Sequence, residues 1–332
     1  MSDRAVSVPP TLFLTDADVT QARSWPDAVA AMRQAYAAPL TDGMVPPRAM
    51  ARGDGKWLRA LPAVSPTGRL GTKLISASMR NRTASYLIAL FDGETMALEA
   101  LLDGNQITGL RTAATSALAV ALLAPARPLR VGLLGSGFEA QGQLSALAAV
   151  RELASVQVFS PTAAKREALA ATFARSHGLD ITAVDSAQAA VTGSDVVICA
   201  ARSRDETPIL DGDWLADDAT VVSIGSTLPE QIEVDLTTLH RSTVMIADMP
   251  EEVLHETGDL LAAAAAGLDM APRTHSLNAL VSGEVTLPAG IRLFKSVGSG
   301  LQDIAAAEMI LERARELGLG TPMAHSIVPV LK

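Results

Sequence analysis

The stretch "VGLLGSGFEAQGQ", residues 131–143, decides the fold of this chain, because an apolar run is followed by two glycines and then by helix formers. This order of strand, tight turn and helix is typical of a loop that binds the phosphates of a dinucleotide. Gly135 permits the turn, Gly137 lets the backbone approach a pyrophosphate, and Ala140 is small enough for close packing of the helix on the strand. The same residues are also compatible with a structural turn that binds no ligand, so the surrounding sequence must decide between a phosphate-binding loop and a plain turn.

From about Thr112, segments with the pattern of strands alternate with segments with the pattern of helices. The strand-like segments are "LRVGLLG", "SVQVFS", "ITAV", "DVVICAA", "ATVVSIG" and "STVMIAD". Such alternation predicts a parallel sheet of βαβ units, in which N–H groups at the start of a helix face the phosphate charge. We therefore predict an α/β protein with a Rossmann NAD(P)-binding domain over residues 112–294. Its expected cofactor contacts are Gly135, Ser136, Gly137, Phe138, Glu139, Ala140, Ala200 and Ala201.

The rest of the chain predicts a second domain of the α+β class. The segment "DADVTQARSWPDAVAAMRQAYAAP" has helical spacing of its apolar residues. Four strand-like segments follow, "KWLRALPAV", "LGTKLISAS", "SYLIALFD" and "TMALEALLDG", with Asp92 and Gly93 as a hairpin signal. The tail, "LFKSVGSGLQDIAAAEMILERARELG", is a glycine-containing turn and a long amphipathic helix. We expect the tail to pack on an antiparallel sheet, giving a discontinuous substrate-binding and dimerisation domain of residues 1–111 and 295–332.

Composition narrows the classes of partner. The 332 residues carry a net charge of -9 and no long basic block. This charge pattern argues against nucleic acid and anionic membranes as binding partners. The single cysteine, Cys199, excludes an intrachain disulfide and is expected in the core. The start of the chain lacks the apolar stretch of a signal peptide, and the longest apolar stretches are too short to span a bilayer. The five histidines are scattered, so we predict no metal site and a soluble cytoplasmic protein.

The end of the second strand of the Rossmann domain bears on the choice of dinucleotide. NAD sites usually place an Asp or Glu there to hold the ribose hydroxyls. Here the sequence gives no carboxylate and two nearby cations, which favours NADP(H) over NAD(H); the residues concerned are Ser160, Pro161, Thr162, Lys165 and Arg166. The alternative is that the two cations are a solvated helix face.

Several stretches, in family order and covering nearly the whole chain, resemble the ornithine cyclodeaminase/mu-crystallin family. The most specific are "LLDGNQITGLRTAATSA", "GSGFEAQGQ" and "FKSVGSGLQDIAAA", supported by "VPPRAM", "GTKLIS" and "IGSTLPEQIEVD". The family contains ornithine and lysine cyclodeaminases, alanine dehydrogenases, reductases of ketimines and cyclic imines, and mu-crystallin, which also binds thyroid hormone. Its members are dimeric through the sheet of the first domain, so the resemblance implies a homodimer.

By this resemblance, Arg48, Lys73 and Arg111 line the substrate pocket beside the nicotinamide. An arginine fork can hold a carboxylate with two hydrogen bonds, and a partly desolvated lysine can orient that carboxylate and exchange a proton. The plainer alternatives are a surface arginine at position 48 and a strand-edge lysine at position 73. Asp303 has either a functional role or a helix-capping role. Further cofactor contacts implied by the family are Thr83, Arg111, Gly225 and Ser296.

One position departs from the cyclodeaminases, in which an Asp after a glycine pair acts as the catalytic acid and base. In "GSTLPEQIE" that place is taken by Thr227, which cannot store a proton near neutral pH. The nearby carboxylates, Glu230 and Asp235, are out of register and are expected at the surface. Reductases resembling mu-crystallin also carry a small hydroxyl residue here, so the departure favours reduction over cyclodeamination.

The sequence therefore predicts an NAD(P)H-dependent oxidoreductase that reduces an imine next to a carboxylate. The substrate is a ketimine or a cyclic imine such as pyrroline- or piperideine-2-carboxylate, and the product is an amino or cyclic imino acid. Lys73, or a water held near Thr227, is the candidate proton donor. The alternatives are a lyase that cyclises ornithine with loss of ammonia, and a cofactor-bound binding protein without essential turnover.

Overall fold

A computed structural model describes residues 9–201 and 207–330 of the chain. These residues divide into two compact units. Unit 1 comprises the residues up to Arg111 together with those from Ser299 onward, and unit 2 comprises Thr112–Gly298.

The regular elements follow one another in chain order. Up to the division between the units they are β1 (Leu12–Leu14), α1 (Asp16–Ala22), α2 (Trp25–Ala37), β2 (Ala49–Gly53), β3 (Lys56–Val64), β4 (Arg69–Ser78), β5 (Thr83–Asp92), β6 (Leu98–Asp103) and α3 (Asn105–Leu123). After α3 follow β7 (Leu129–Leu134), α4 (Phe138–Val150), β8 (Leu153–Phe159), α5 (Ala163–His177), β9 (Ile181–Ala183), α6 (Ala187–Val191), β10 (Val196–Cys199), β11 (Thr220–Ser223), α7 (Leu236–Arg241), β12 (Ser242–Ala247), α8 (Pro250–Glu256), α9 (Gly258–Ala265), β13 (Thr274–Ser276), α10 (Leu277–Val281), β14 (Ile291–Lys295), α11 (Gly300–Leu317) and β15 (Thr321–Pro322).

The sheet of unit 1 has the strand order β15-β1-β6-β5-β4-β3-β2. Strands β2 to β6 form an antiparallel meander, which confirms the predicted antiparallel sheet, whereas β1 runs parallel to β6 at its side. Side chains alternate between a buried and a more exposed face along β3 to β6, as the period of two requires. Helix α11 covers the buried face, and Gly300 at its start permits the approach, because a Cβ there would lie 2.5 Å from the carbonyl oxygen of Pro62.

The predicted first helix is two helices in the structure. Thr15 and Asp18 form a capping box at the start of α1, and the backbone becomes extended at Arg23. Ser24 then caps α2, with Pro26 in its first turn, where proline costs no hydrogen bond. The apolar spacing continues across the break, so the pattern alone did not reveal it. Strands β1 and β2 were also not predicted.

The sheet of unit 2 has the order β13-β12-β14-β11-β10-β7-β8-β9, and every pairing in it is parallel. This confirms the predicted Rossmann-type sheet. Strand order reverses at β7, whose neighbours are β8 on one side and β10 on the other, and ligands of such sheets bind at this switch point. The prediction missed β14, which was read as part of a turn although it lies buried between β11 and β12.

The helix predicted over "RTAATSALAVALLAP", residues 111–125, begins earlier in the structure, since α3 starts at Asn105. Its 19 residues are long and apolar enough to span a membrane by length and composition, which the apolar stretch alone was judged too short to do. The apolar window of this helix is mostly buried inside the protein. That burial is the behaviour of a core helix in a soluble globular protein.

Candidate functional site

The glycine loop between β7 and α4 has the geometry of a phosphate cradle. Gly135 has φ +130, and a Cβ at this residue would lie 2.6 Å from the carbonyl oxygen of Ala200, so a side chain there is strained and crowded. Gly137 is the N-cap of α4 and contributes no capping side chain. A Cβ on Gly137 would meet nothing within 4 Å, so the approach to the amino end of α4 is open. This arrangement fits a pyrophosphate at the helix start.

The loop is tied to the end of β8. The hydroxyl of Ser136 donates a hydrogen bond to that of Ser160 at 2.9 Å, and Ser160 is buried. Pro161, Thr162 and Lys165 are exposed beside it.

Arg166 is less available as a cation than the sequence suggested. Its guanidinium donates to the carbonyl oxygen of Ser160 at 3.0 Å and to Asp185 Oδ1 at 2.6 Å, and lies 5.7 Å from the centre of the Phe159 ring. Part of its charge is therefore balanced by Asp185.

The remaining predicted cofactor residues lie at several places. In the loop, Phe138 is exposed, Glu139 is half-buried and Ala140 is buried. Ala200 follows β10 directly, and its N–H donates to the carbonyl oxygen of Leu134; Ala201 is the next residue. Thr83 is exposed at the first residue of β5, in unit 1.

Two further predicted residues follow the sheet of unit 2. Gly225 comes just after β11, and its N–H donates to Glu233 Oε2 at 2.8 Å. Ser296 follows β14 and is buried, and its hydroxyl donates to Asp248 Oδ2 at 2.6 Å. The side chain of Ser296 is therefore engaged within unit 2.

A triad of charged side chains lies within unit 1. Lys73 Nζ donates to Asp303 Oδ1 at 2.7 Å, and Arg111 Nε donates to the same oxygen at 3.1 Å. Lys73 is 1% exposed and Asp303 is 0% exposed, so water does not screen these charges. Within the triad, two cations share one carboxylate. Asp303 Oδ2 has no hydrogen-bond partner in the part of the chain that the structure describes.

The secondary structure explains why these three residues meet. Lys73 lies on the buried face of β4, Arg111 on α3, and Asp303 in the first turn of α11. Ser299 caps α11 by accepting from the N–H of Gln302, so the helix-capping alternative for Asp303 is wrong. Gln302 joins the cluster, since its Oε1 accepts from Arg111 Nη1 at 2.9 Å. Its amide nitrogen donates to the Tyr36 hydroxyl at 2.9 Å.

The triad changes the proton affinity of Lys73. Burial lowers the pKa of Lys73 to about 8, Asp303 opposes this shift, and the positive charges of Arg111 and Arg59 add to it. An ammonium with such a pKa can give up its proton near neutral pH, which suits a general acid. The alternative of a strand-edge lysine is wrong, because β4 pairs on both sides.

Two more arginines belong to unit 1. Arg48 precedes β2 and is half-buried, and the pairing of Ala49 with Ala60 places it next to Leu61, the residue opposite Lys73. Arg59 was missed by the sequence analysis. It shares the face of Lys73 on the neighbouring strand, a relation that the alternation in "KWLRALPAV" could have signalled once the register was known.

Thr227, the other predicted catalytic residue, lies in a short loop after β11. Its N–H donates to Gln231 Oε1 at 2.9 Å. Glu230 is exposed, and Asp235 accepts from the N–H groups of Gly212 and Thr238 as the cap of α7. The Asp235 carboxylate is therefore engaged in capping α7.

A second buried charge cluster lies in unit 2. Lys295 Nζ is 2.6 Å from Asp259 Oδ2 and donates to the Ser223 hydroxyl at 2.8 Å. Ser223 donates to Glu233 Oε2 at 2.6 Å, and Asp259 Oδ1 accepts from the N–H groups of Glu233 and Val234. Burial raises the pKa of Glu233 to about 7, although Lys295 and the two hydrogen bonds to its Oε2 oppose the rise. None of these four residues was predicted from the sequence as part of a site.

Two further predictions concern the reactivity of Cys199 and the binding of metal ions. Cys199 is fully buried in the core of unit 2, and burial raises the pKa of its thiol well above the ordinary range, so it is not poised as a nucleophile. Within residues 9–201 and 207–330, no group of three or more His, Cys, Asp or Glu side chains could hold a metal ion.

The chain is similar in sequence to known proteins. The model of the ornithine cyclodeaminase/mu-crystallin family matches residues 10–318. The chain is 32% identical over 267 residues to the ketimine reductase mu-crystallin of Mus musculus, a match that covers 77% of this chain and 80% of that protein. It is 28% identical over 263 residues to a Delta(1)-pyrroline-2-carboxylate reductase of Bacillus cereus, covering 76% of this chain and 79% of the relative.

A solved structure matches over almost the full length. It is that of Thermococcus litoralis Delta(1)-pyrroline-2-carboxylate reductase in complex with NADH and L-proline, with TM-score 0.85, 27% sequence identity, and coverage of 94% of this chain and 100% of that chain. The class defined by fold and site is that of NAD(P)-dependent oxidoreductases acting on carbon–nitrogen bonds. The chain belongs to the ornithine cyclodeaminase/mu-crystallin family.

Proposed function

We propose that this protein uses NAD(P)H to reduce an imine that carries a carboxylate on the imine carbon, giving an amino or cyclic imino acid. The observation that carries the proposal is the buried triad, in which Lys73 and Arg111 share Asp303. Desolvated cations of this kind bind a carboxylate strongly. The similarity to reductases of ketimines and of pyrroline-2-carboxylate supports the same reaction class.

Each residue has a definite task in this proposal. Arg111 and Arg48 hold the substrate carboxylate, and Asp303 keeps Lys73 and Arg111 in position. Lys73, whose pKa is lowered to about 8 by burial, protonates the imine nitrogen. Thr227 contributes at most a neutral hydrogen bond, directly or through a water.

The cofactor, when bound, supplies the hydride to the imine carbon. The protein residues that would hold it are those of the glycine loop, where the open amino end of α4 suits a pyrophosphate. We propose NADP(H) as the preferred dinucleotide, because the end of β8 offers Ser160, Thr162 and the exposed Lys165 and no carboxylate. Ser160→Asp should shift preference toward NADH. A clear preference of the unchanged protein for NADH would contradict this part of the proposal.

The main test is a substrate panel read by the absorbance of the reduced cofactor. We expect oxidation of NADPH with pyrroline-2-carboxylate, piperideine-2-carboxylate or a mixture of a 2-oxo acid and an amine. Release of ammonia from ornithine without net change of the cofactor would identify a cyclodeaminase instead. Tight cofactor binding with neither reaction would leave a binding protein.

Arg111→Ala tests the carboxylate site directly. Losing a desolvated charge pair should weaken binding by about 2–5 kcal/mol, seen as a higher KM and a lower kcat/KM. The matched control is Arg52→Ala, since Arg52 is exposed on β2. Unchanged kinetics in a folded Arg111→Ala protein would remove Arg111 from the site.

The sheet of unit 1 supports a homodimer. The face of this sheet opposite the one that α11 covers carries Leu58, Val64 and Leu87. These side chains are 48%, 44% and 37% exposed, and the strand register places them on the same face. An apolar sheet face of this kind usually packs on another surface. We expect a dimer by light scattering, and Leu87→Asp should shift it toward monomer.

The cytoplasm is the proposed compartment, because the single cysteine is buried and cannot form an intrachain disulfide.

A further inference from the structure

The loop that carries Thr227 leaves the carboxyl end of β11 and is held by hydrogen bonds within itself. The Ser226 hydroxyl donates to the carbonyl oxygen of Gln231, and the N–H of Thr227 donates to Oε1 of the same glutamine at 2.9 Å. The N–H of Gln231 donates to the carbonyl oxygen of Leu228. Loops at the carboxyl ends of parallel strands line the ligand sites of such sheets, so the conformation of this loop bears on the reaction.

Glu233 joins the two ends of this loop. The residue follows the loop in sequence, and its Oε2 reaches back to the beginning of the loop. There it accepts from the N–H of Gly225 at 2.8 Å and from the Ser223 hydroxyl at 2.6 Å. A Cβ on Gly225 would lie 2.3 Å from Glu233 Oε1, so the carboxylate lies directly against this glycine. Glu233 is 0% exposed, and water does not compete for these hydrogen bonds.

Two neighbouring elements fix Glu233 in turn. Asp259, in the first turn of α9, accepts from the backbone N–H of Glu233 at 2.6 Å. Lys295, at the end of β14, donates to the hydroxyl of Ser223 at 2.8 Å, and this hydroxyl donates to Glu233. The carboxylate is therefore held in one place by α9 and β14, and it holds the beginning of the loop.

The charge of Glu233 is unfavourable for folding. Burial raises its pKa to about 7; Lys295 and the hydrogen bonds to the carboxylate oppose this rise, and Asp259 adds to it. Cys199 on β10 interacts with Glu233 as well, but burial raises the pKa of its thiol, which stays neutral. Since Glu233 Oε1 has no hydrogen-bond partner among the described residues, a neutral amide would satisfy the core at least as well. Folding alone gives no reason for a carboxylate here.

We propose that Glu233 is a positioning residue of the reductase, which in its ionised form holds the N–H of Gly225 and thereby sets the position of Thr227. This role rests on the proposed function, because it assigns a task within the same reaction. A charged acceptor binds an N–H about twice as strongly as a neutral one. Ionised Glu233 therefore holds the loop firmly, and protonated Glu233 holds it loosely.

Glu233→Gln tests this role, because the amide is neutral at every pH and keeps an oxygen that can accept from Gly225 and Ser223. We expect kcat/KM for the best imine of the substrate panel to fall about fivefold at about pH 8, where Glu233 of the parent is ionised. At about pH 5.5 the parent is protonated too, so the two proteins should differ by less than about 1.5-fold. The titrations of Lys73 and of the imine affect both proteins alike and cancel in the ratio.

Amide hydrogen exchange gives a readout that does not depend on turnover. The amides of residues 224–231 should exchange about fivefold faster in Glu233→Gln than in the parent at about pH 8, and equally fast at about pH 5.5. The amides of the core strands β7 and β12 should exchange no faster, because removing a buried charge stabilises the whole fold. A residue with only a structural role would change exchange in the loop and in these strands in the same direction.

Two controls separate positioning from a general disturbance of the loop. Glu230→Gln removes an exposed carboxylate from the same loop and should change neither kcat/KM nor exchange. In the Thr227→Ala background, Glu233→Gln should change kcat/KM by less than about 1.5-fold, because effects that pass through one residue are not additive. An equal ratio of parent to Glu233→Gln at both pH values would overturn the inference, as would an undiminished effect in the Thr227→Ala background.

Exchange and turnover together distinguish failure of this role from failure of the proposed function. If no imine is reduced but loop exchange in Glu233→Gln is faster only at the higher pH, the reductase proposal fails and the holding of the loop by ionised Glu233 stands. If imines are reduced and neither turnover nor loop exchange responds to Glu233→Gln, the inference fails and the reductase proposal stands.

Discussion

Each unit of this protein buries a lysine against an aspartate, and the two pairs are almost equal in geometry. Lys73 lies 2.7 Å from Asp303 in unit 1, and Lys295 lies 2.6 Å from Asp259 in unit 2. All four side chains are at most 1% exposed. By distance and burial alone, neither pair would be chosen over the other as a functional site.

The neighbours of the two pairs differ. The additional charge beside Lys295 is the carboxylate of Glu233, and backbone N–H groups fill Asp259 Oδ1. The additional charge beside Lys73 is the cation Arg111. The cluster in unit 2 has surplus negative charge, which protonation of Glu233 removes. The cluster in unit 1 has surplus positive charge, which deprotonation of Lys73 or an anionic ligand removes. The two clusters therefore differ in the sign of their surplus charge and not in burial, and only the cluster in unit 1 suits the carboxylate of the proposed substrate.

The largest effects should come from removing each lysine in turn. Lys295→Met leaves the charges of Asp259 and Glu233 buried without their cation, and we expect a loss of about 3–5 kcal/mol in the free energy of unfolding. Lys73→Met leaves Asp303 paired with Arg111, so stability should change much less, while imine reduction should fall by about 10²–10⁴-fold. Denaturant unfolding and single-turnover kinetics measure the two outcomes. If Lys73→Met unfolds the protein and Lys295→Met only slows imine reduction, the comparison of the two lysines is wrong.

Glu233→Gln should reveal the surplus negative charge through the pH dependence of stability. Burial raises the pKa of Glu233 from 4.5 to about 7, so ionisation opposes folding. The parent should lose this stability as pH rises from about 4.5 to 7, the window between the unfolded and folded pKa values. The amide does not titrate, so the variant should gain on the order of 3 kcal/mol relative to the parent between pH 5 and pH 8.

Glu230→Gln is the matched control for that measurement, because Glu230 is exposed on the same loop. Its unfolding free energy should follow the parent at every pH. If the difference between Glu233→Gln and parent is independent of pH, Glu233 is ionised throughout and the charge comparison is wrong.

The surplus positive charge should appear in the pH profile of activity. Burial lowers the pKa of Lys73 to about 8, and a general acid acts in its protonated form. We therefore expect kcat/KM to fall about tenfold per pH unit above about 8. Arg59→Met removes a cation that lowers this pKa, so the fall should move to higher pH with a substrate that has one carboxylate. If kcat/KM falls at the same pH in Arg59→Met as in the parent, the group that titrates is the imine itself and not Lys73.

The smallest effect is expected at Thr227, which lies in neither cluster. A neutral orienting hydrogen bond is worth about 0.5–1.5 kcal/mol, so Thr227→Ala should keep at least about a tenth of the reductase rate. Efficient conversion of ornithine to proline and ammonia by the unchanged protein would show that a group other than Lys73 handles protons.

The glycine loop and the parallel sheet could be predicted because their signals are local. The turn at Gly135 and the apolar strand before it are read within a dozen residues, and strand–helix alternation fixes the sheet type. The break between α1 and α2 was hidden by apolar spacing that continues across it, although Ser24 and Pro26 are capping signals. Strand β14 was missed because the glycines after it suggested a turn.

The triad was predicted only in part, for a physical reason. Arg48, Lys73 and Arg111 came from resemblance, and nothing in spacing links Lys73 to Asp303, which lies 230 residues away along the chain. Their contact depends on α11 packing over β4. Arg59 needed the register of β3 on β4 before its relation to Lys73 could be seen. Register is set by long-range pairing, which the sequence pattern does not specify.

The position of β14 also constrains how the chain can fold during synthesis. This strand lies inside the sheet of unit 2, between β11 and β12, although both precede it in sequence. Helix α11, which follows it at once, covers the sheet face of unit 1. Neither unit can therefore complete its core until residues 291–317 have left the ribosome, and the earlier strands must wait with apolar edges exposed. A nascent chain arrested before Ile291 should be sensitive to protease in both units, and one arrested well after Leu317 should be resistant in both.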